Sequence, residues 1–541
     1  MREHVTSADP RSSTRRQWIG FGFLALALFM IAVDLSVTAV AVPSIVADLG
    51  ISADDASLVM TVYLVVASSF IVLMGKVSDL VGAKKAFLTG AIVFAVGSLV
   101  TGAAPTFSVL ILGRVIQGVV VAVAIPASLS LLNQEFPSGK ARVLAFSIWT
   151  AVIGSATALG PLIGGLLATY ESWRWAFFIN IPIMVVAAIG AGIAVRPVAV
   201  TLKEKGFDAV GAVLLVAAVA LITFGLQEAT DLGWWTAKRD TLLGASIPWP
   251  FDISATPIML ILGAGLLAVF VILEKHRARR ALGVVLELKL FKVKSFTWGT
   301  SAAAFMTAAV FGLLLLIPLY CQFILEANPL GAGVTLAPLG IGMAFGGPIV
   351  SRLNWPLRKT VLIMLIIQPI TTLGLIPLIQ PGGEGWWLAP VLVVDGFAWG
   401  AAYSILVSML LADVPKSLSG VAGGTQTAAR LLAGAIGSAI LTTILLGSVV
   451  AQMSSVSGSG LTAKEKAEVT QLFQFSSQLH QPTTDSGHTV HTLRTVAPFH
   501  QVIQDTKDNM SAGVRFALLV AAFLSFLGFL CGLKLDADEK A

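Results

Sequence analysis

A chain of 541 residues that is 56% hydrophobic and only 12% charged is too apolar to stay in water as an ordinary globular protein. Its two cysteines, Cys321 and Cys531, form neither a disulfide framework nor a metal-ligand spacing. The net charge of +6 does not point to nucleic acid, because the basic residues fall in short loops between apolar runs.

A bilayer span takes about 20 apolar residues. Runs of that length fall at 18–42, 56–75, 86–104, 107–131, 141–168, 176–195, 207–228, 255–274, 295–320, 332–350, 358–379, 388–412, 420–448 and 512–533, fourteen in all. The first follows Arg15 and Arg16, contains Asp34, and is too long for a signal-peptide core, so it reads as a retained span. With the N-terminus inside, 25 of the 35 Lys and Arg residues lie on inner loops and tails and seven on outer loops. This is the positive-inside asymmetry. It places both termini in the cytosol. Trp18, Trp173, Trp234, Trp386 and Trp387 sit at span ends, as an aromatic belt does.

The expected class is an all-α polytopic membrane protein with 14 transmembrane helices. The expected divisions are a cytosolic tail 1–17, a six-helix half 18–195, an inserted hairpin 207–274 and a cytosolic linker 275–294. A second six-helix half 295–533, with an outer loop 450–511, and a cytosolic tail 534–541 complete the chain. The outer loop carries His480, His488, His491 and His500 without helical ligand spacing and reads as a solvated cap. Within it, 463–479 is long enough for a short amphipathic helix.

Gly75-x-x-x-Asp79-x-x-Gly82-x-Lys84-Lys85 follows the second span, and Gly347-x-x-x-Ser351 runs towards Arg358-Lys359 after the tenth. Many transporters are built from two halves related by such repeats. The fifth span is loaded with small residues, Gly154, Ala156, Gly160, Gly164 and Gly165, around Pro161. That composition lets two membrane helices pack backbone to backbone.

These stretches also carry a family resemblance. Ala156-x-x-x-Gly160-Pro161-x-x-Gly164-Gly165 resembles the fifth-helix motif of antiporters in the major facilitator superfamily, with Ala156 where glycine is usual. Trp173-Arg174-Trp175-x-Phe177-x-Ile179-Asn180-x-Pro182 is similar to the signature of its 14-helix drug:proton antiporters. The Gly75–Lys85 stretch resembles the superfamily's loop between helices two and three, with Ala83 where arginine is usual. Arg114-x-x-Gln117-Gly118 matches its fourth-helix motif, and Arg430-x-x-Ala433-Gly434-x-x-Gly437 is similar to its thirteenth-helix pattern. The resemblance implies the major facilitator fold, proton coupling and multidrug efflux. Gly75, Asp79, Gly82, Gln117, Gly118, Gly160, Pro161, Gly164 and Gly165 are then conformational motif positions.

Charges inside spans are expensive and become functional candidates by default. Asp34, Arg114, Asp395 and Arg430 are the four that stand out. At 1.5 Å per residue, Asp34 and Arg114 both lie about 10–12 Å below the outer surface and are expected to meet. They read as a proton-coupling pair or as a static ion pair that fixes packing. Asp395, Trp399 and Tyr403 follow at i, i+4 and i+8 and share one helical face. A carboxylate above two electron-rich rings suits a lipophilic cation; otherwise the rings pack between helices. Arg430 is either a second substrate contact or a structural residue.

The chain holds no phosphate loop, nucleophile motif or metal cluster, which speaks against an enzyme or a primary pump. The expected activity is a proton-coupled antiporter that exports hydrophobic, cationic or amphipathic compounds by alternating access. It would need no cofactor beyond the proton gradient, bind no nucleic acid, and work as a monomer in the bacterial inner membrane. The alternative on the same scaffold is a dedicated exporter of one endogenous lipid or secondary metabolite. An uptake symporter and a membrane sensor are the remaining readings.

Overall fold

The computed structural model describes residues 15–51, 53–136, 139–170, 172–196, 208–238, 241–242, 247–280, 282–327, 329–353, 355–456 and 497–535. Fourteen long helices dominate them: α1 (Arg15–Leu49), α2 (Ala53–Val81), α3 (Ala83–Gly102), α4 (Phe107–Glu135), α5 (Gly139–Tyr170), α6 (Asn180–Ala194) and α7 (Ala209–Gln227). Then follow α8 (Ala255–Arg279), α9 (Lys294–Phe323), α10 (Pro329–Val350), α11 (Leu357–Leu375), α12 (Ala389–Ala412), α13 (Ser419–Val456) and α14 (Ala497–Leu533). Within the described residues, thirteen are long and apolar enough to cross a membrane, α6 being counted with the preceding turn from Trp175. The other, α5, has 32 residues, well beyond a span's need of about 20. The outward faces are apolar, as a lipid solvent requires: Ile261 and Ile272 of α8 are 74% and 67% exposed.

Local chemistry sets the helix ends. The Asp208 side chain accepts the Gly211 N–H and caps α7, and Ser254 does the same for α8 through Thr256. Gly82, with φ of +93°, makes the sharp joint between α2 and α3. The last carbonyls of α6 are met by cations: Arg16 donates to Ala194 and Ile193, and Lys84 Nζ to Gly192.

The outer loop differs from expectation. Helix α13 continues to Val456, and α14 starts at Ala497 rather than near 512. The polar run 499–511 is rich in residues that a helix accepts, and it projects past the apolar span. Lys507 there pairs with Glu326 at 2.8 Å. The expected helix at 463–479 and His480, His488 and His491 lie outside the described residues, as do 1–14 of the first tail and 536–541 of the last.

Helices α1 to α6 pack together, as do α9 to α14, and the two groups meet along α5–α10 and α2–α13. The α7–α8 pair, joined through a two-stranded ribbon of β1 (Thr241–Leu242) and β2 (Ile247–Pro248), lies against α2 and touches α13. Close backbone contact fixes the tightest pair. A Cβ added to Gly396 or Gly400 of α12 would meet the Leu339 or Met343 carbonyl of α10 at 2.0 or 2.3 Å. Gly342 and Gly346 of α10 approach α12 in the same way. Four interleaved glycines therefore let two backbones touch.

Candidate functional site

Asp34 lies midway along α1 and is 1% exposed. Arg114 of α4 donates to its Oδ2 from Nη1 at 2.6 Å. Gln117, one helical turn further on, donates to Oδ1 at 3.0 Å, and Asn180 at the start of α6 donates to the same oxygen at 2.8 Å. Both amides also donate to Ser98 Oγ of α3. Arg114 donates Nε–H to the Val59 carbonyl of α2, lies over the Tyr63 ring at 4.2 Å, and leaves Nη2 without a partner. Five helices thus converge on one carboxylate, and the similar depth expected for Asp34 and Arg114 becomes direct contact.

The arrangement has a chemical consequence. The carboxylate accepts three hydrogen bonds, all from donors that cannot themselves accept at those atoms. A proton on Asp34 would face a donor at each oxygen, so the amides must turn or the helices must shift. It would also remove the counter-ion of Arg114. Sequence reasoning missed Asn180, Ser98 and Tyr63, which carry no charge to mark them. Asn180 was visible only as a member of the Trp173–Pro182 signature. That signature surrounds the site: Phe177 lies 5.8 Å from the Arg114 guanidinium, and Trp173 and Arg174 both bind Asp48 near the end of α1.

The second candidate cluster is placed differently from expectation. Trp399 and Tyr403 do share a face of α12, and their rings stack at 5.0 Å with 16° between planes. Asp395 does not sit above them as a free carboxylate. It is fully buried and accepts from Thr371 and Thr372 of α11 at 2.6 and 3.2 Å, with Oδ2 left unpartnered. The Tyr403 face is already taken by a cation of the protein itself, with Arg430 of α13 at 5.3 Å. Trp149 of α5 tilts against Tyr403 at 6.3 Å and donates to Ser128. Gln426 of α13 donates to the Tyr403 hydroxyl.

The motif glycines lie at close helix contacts, Gly75 between the two groups and Gly118 and Gly160 within the first. A Cβ on Gly75 would meet the Gly420 carbonyl at 2.4 Å, one on Gly118 the Tyr63 carbonyl at 2.9 Å, and one on Gly160 the Ser36 Cβ at 2.2 Å. Asp79 accepts the backbone N–H groups of Gly420 and Val421, both at 2.9 Å, at the first turn of α13. Nearby, Asn133 donates to Ser419, and Arg142 donates to Asn133 and to the Ser408 carbonyl. These contacts close the gap between the groups at the end where α1 begins and α14 ends. Gly347 takes the place opposite Gly75, against Ser147 of α5, while Ser351 Oγ, just past the end of α10, donates back to the Pro348 carbonyl. Pro161, Gly164 and Gly165 lie on α5, and their surroundings fall outside the described side chains.

A family model described as Major Facilitator Superfamily matches residues 24–438. The tetracenomycin C resistance and export protein of Streptomyces glaucescens is 29% identical over 455 residues, 81% of this chain and 78% of the relative. The multidrug export protein EmrB of Escherichia coli is 28% identical over 423 residues, 78% of each chain. The crystal structure of the human organic anion transporter MFSD10 superposes with a TM-score of 0.56 over 96% of this chain and 99% of that one. At 14% identity it shows the common fold alone. The chain is a multi-pass membrane protein and belongs to the Major Facilitator Superfamily.

Proposed function

We propose that this chain is a proton-coupled antiporter that exports hydrophobic and amphipathic organic compounds across the bacterial inner membrane. The observation that carries the reading is the buried Asp34–Arg114 pair, held by Gln117 and Asn180 between five helices. The relatives described above are export and resistance proteins, which supports the direction of transport. Basic residues concentrated on alternate loops support cytosolic termini. Under that orientation the Asp79 and Arg142 contacts close the cytosolic end.

Proton binding at Asp34 breaks the hydrogen-bond pattern that joins α1, α3, α4 and α6, and so biases the bundle between two arrangements. A proton does work only if it favours one state over the other. No cofactor enters this account, the proton gradient is the energy source, and a monomer suffices. The test is reconstitution into proteoliposomes with an imposed pH gradient and a panel of lipophilic compounds. Gradient-driven movement of at least one class is expected, and none in protein-free vesicles. A dedicated exporter of one compound is the second reading, favoured by relatives such as the probable actinorhodin transporter of Streptomyces coelicolor, 29% identical over 459 residues. A panel response confined to one chemical type would select it.

A further inference from the structure

Arg430 is 5% exposed, yet its guanidinium makes no hydrogen bond and no ion pair among the described residues. Its guanidinium faces the Tyr403 ring at 5.3 Å. The other buried arginines are compensated: Arg114 has Asp34, and Arg142 has Asn133 and two carbonyls. The Arg430 Nε is buried without a partner, and a largely buried guanidinium is best compensated by an anion or several acceptors, neither of which a ring face replaces. The carboxylate on the neighbouring helix, Asp395, is turned to the α11 threonines. Tyr403, whose ring the cation faces, stacks on Trp399, and the Trp399 indole N–H is also unpartnered. Trp149 brings α5 to the same cluster, so it spans the interface between the two six-helix groups.

We infer that Arg430, with Trp399 and Tyr403, forms the subsite for the acidic group of a planar aromatic anion. This deepens the exporter reading and rests on it. The missing counter-ion is the ligand's own carboxylate, phenolate or sulfonate. The guanidinium offers it a planar fork of donors, which suits an oxyanion better than an ammonium group would. In this closed arrangement Trp399 and Tyr403 are 2% and 0% exposed, so the aromatic body enters when the helices part, with the Trp399 ring as its flat apolar wall. The same cation repels a positively charged substrate.

The charge balance gives a second signature. If n protons enter for each molecule exported, an anion moves n + 1 positive charges inward per cycle, a neutral compound n, and a cation n − 1. Export of an anion therefore responds most steeply to an interior-negative membrane potential.

The experiment uses three matched probes: anthracene-9-carboxylate, its methyl ester and 9-(aminomethyl)anthracene as the ammonium ion. Binding to the purified full chain decides the subsite. The carboxylate is expected to bind about tenfold or more tighter than the ester, the range of a hydrogen bond to a charged group. Arg430→Gln should remove that advantage and leave ester binding unchanged, and Arg430→Lys should keep part of it. Ammonium binding equal to or tighter than carboxylate binding overturns the inference. So does an equal loss for all three probes in Arg430→Gln while Arg430→Lys behaves as the parent. Transport of the same probes in proteoliposomes decides the exporter reading separately. Gradient-driven movement that favours the ammonium probe would leave the exporter standing and remove the anion subsite. Movement of none of the three, with the carboxylate still bound through Arg430, would remove the exporter reading instead.

Discussion

Asp79 of α2 accepts the backbone N–H of Gly420, at the first turn of α13, at 2.9 Å. Its second oxygen accepts Val421 N–H at the same distance. A carboxylate at a helix N-terminus satisfies donors that no intrahelical partner reaches, and it meets the positive end of the helix dipole. Because α2 and α13 belong to different groups of helices, this contact is a clasp between them. It forms only when the end of α2 and the start of α13 are together.

Asp79→Ala should weaken that clasp by about 1–3 kcal/mol, the worth of hydrogen bonds to a charged group. Spin labels at Lys85 and Lys416, in a background lacking Cys321 and Cys531, would report it as a larger share of long distances. An unchanged distance distribution would show that the other contacts, Arg142 and Asn133, hold the end closed alone.

Gly160 of α5 stands so close to α1 that an added Cβ would lie 2.2 Å from the Ser36 Cβ but 3.4 Å from its Cα. Gly160→Ala is expected to cost about 1–3 kcal/mol through overpacking and to slow transport. Ser36→Gly in the same chain should restore both, because it removes the two clashing atoms, Cβ and the Oγ at 2.9 Å. Thermal unfolding in detergent and transport rate are the two measurements. A double variant as impaired as the single one would move the contact elsewhere.

The inserted pair is tied to both groups at one end. Thr61 of α2 donates to Glu228, just after α7, and the Trp234 indole N–H donates to Thr443 of α13. Thr61→Val together with Trp234→Phe should loosen α7 and α8 by about 1 kcal/mol for each bond lost. Faster hydrogen exchange confined to these helices is the expected readout.

Much of this was legible in the sequence. Apolar run length found every span, because a bilayer fixes helix length. Depth counting brought Asp34 and Arg114 together, because both helices run the full thickness. The Asp395 arrangement was not legible. Residues at i and i+8 are already about 80° apart around a helix, enough to send Asp395 to α11 while Tyr403 faces α13. The partners Thr371 and Thr372 belong to another helix with no charge to announce it. The lone state of Arg430 is likewise a property of what fails to surround it, which no pattern along one strand of sequence records. Helix α14 began earlier than hydropathy suggested because its first turns are polar and leave the apolar layer.

Proton coupling through Asp34 is most directly tested by comparing Asp34→Asn with the parent in two proteoliposome assays on one transported compound. The first is exchange of labelled for unlabelled compound without any gradient, and the second is accumulation driven by an imposed pH difference. The amide keeps the side chain's shape but cannot carry the proton. The account predicts that exchange survives at a rate within about tenfold of the parent, a barrier change under about 1.4 kcal/mol, while gradient-driven accumulation vanishes. Accumulation by Asp34→Asn equal to that of the parent would contradict it.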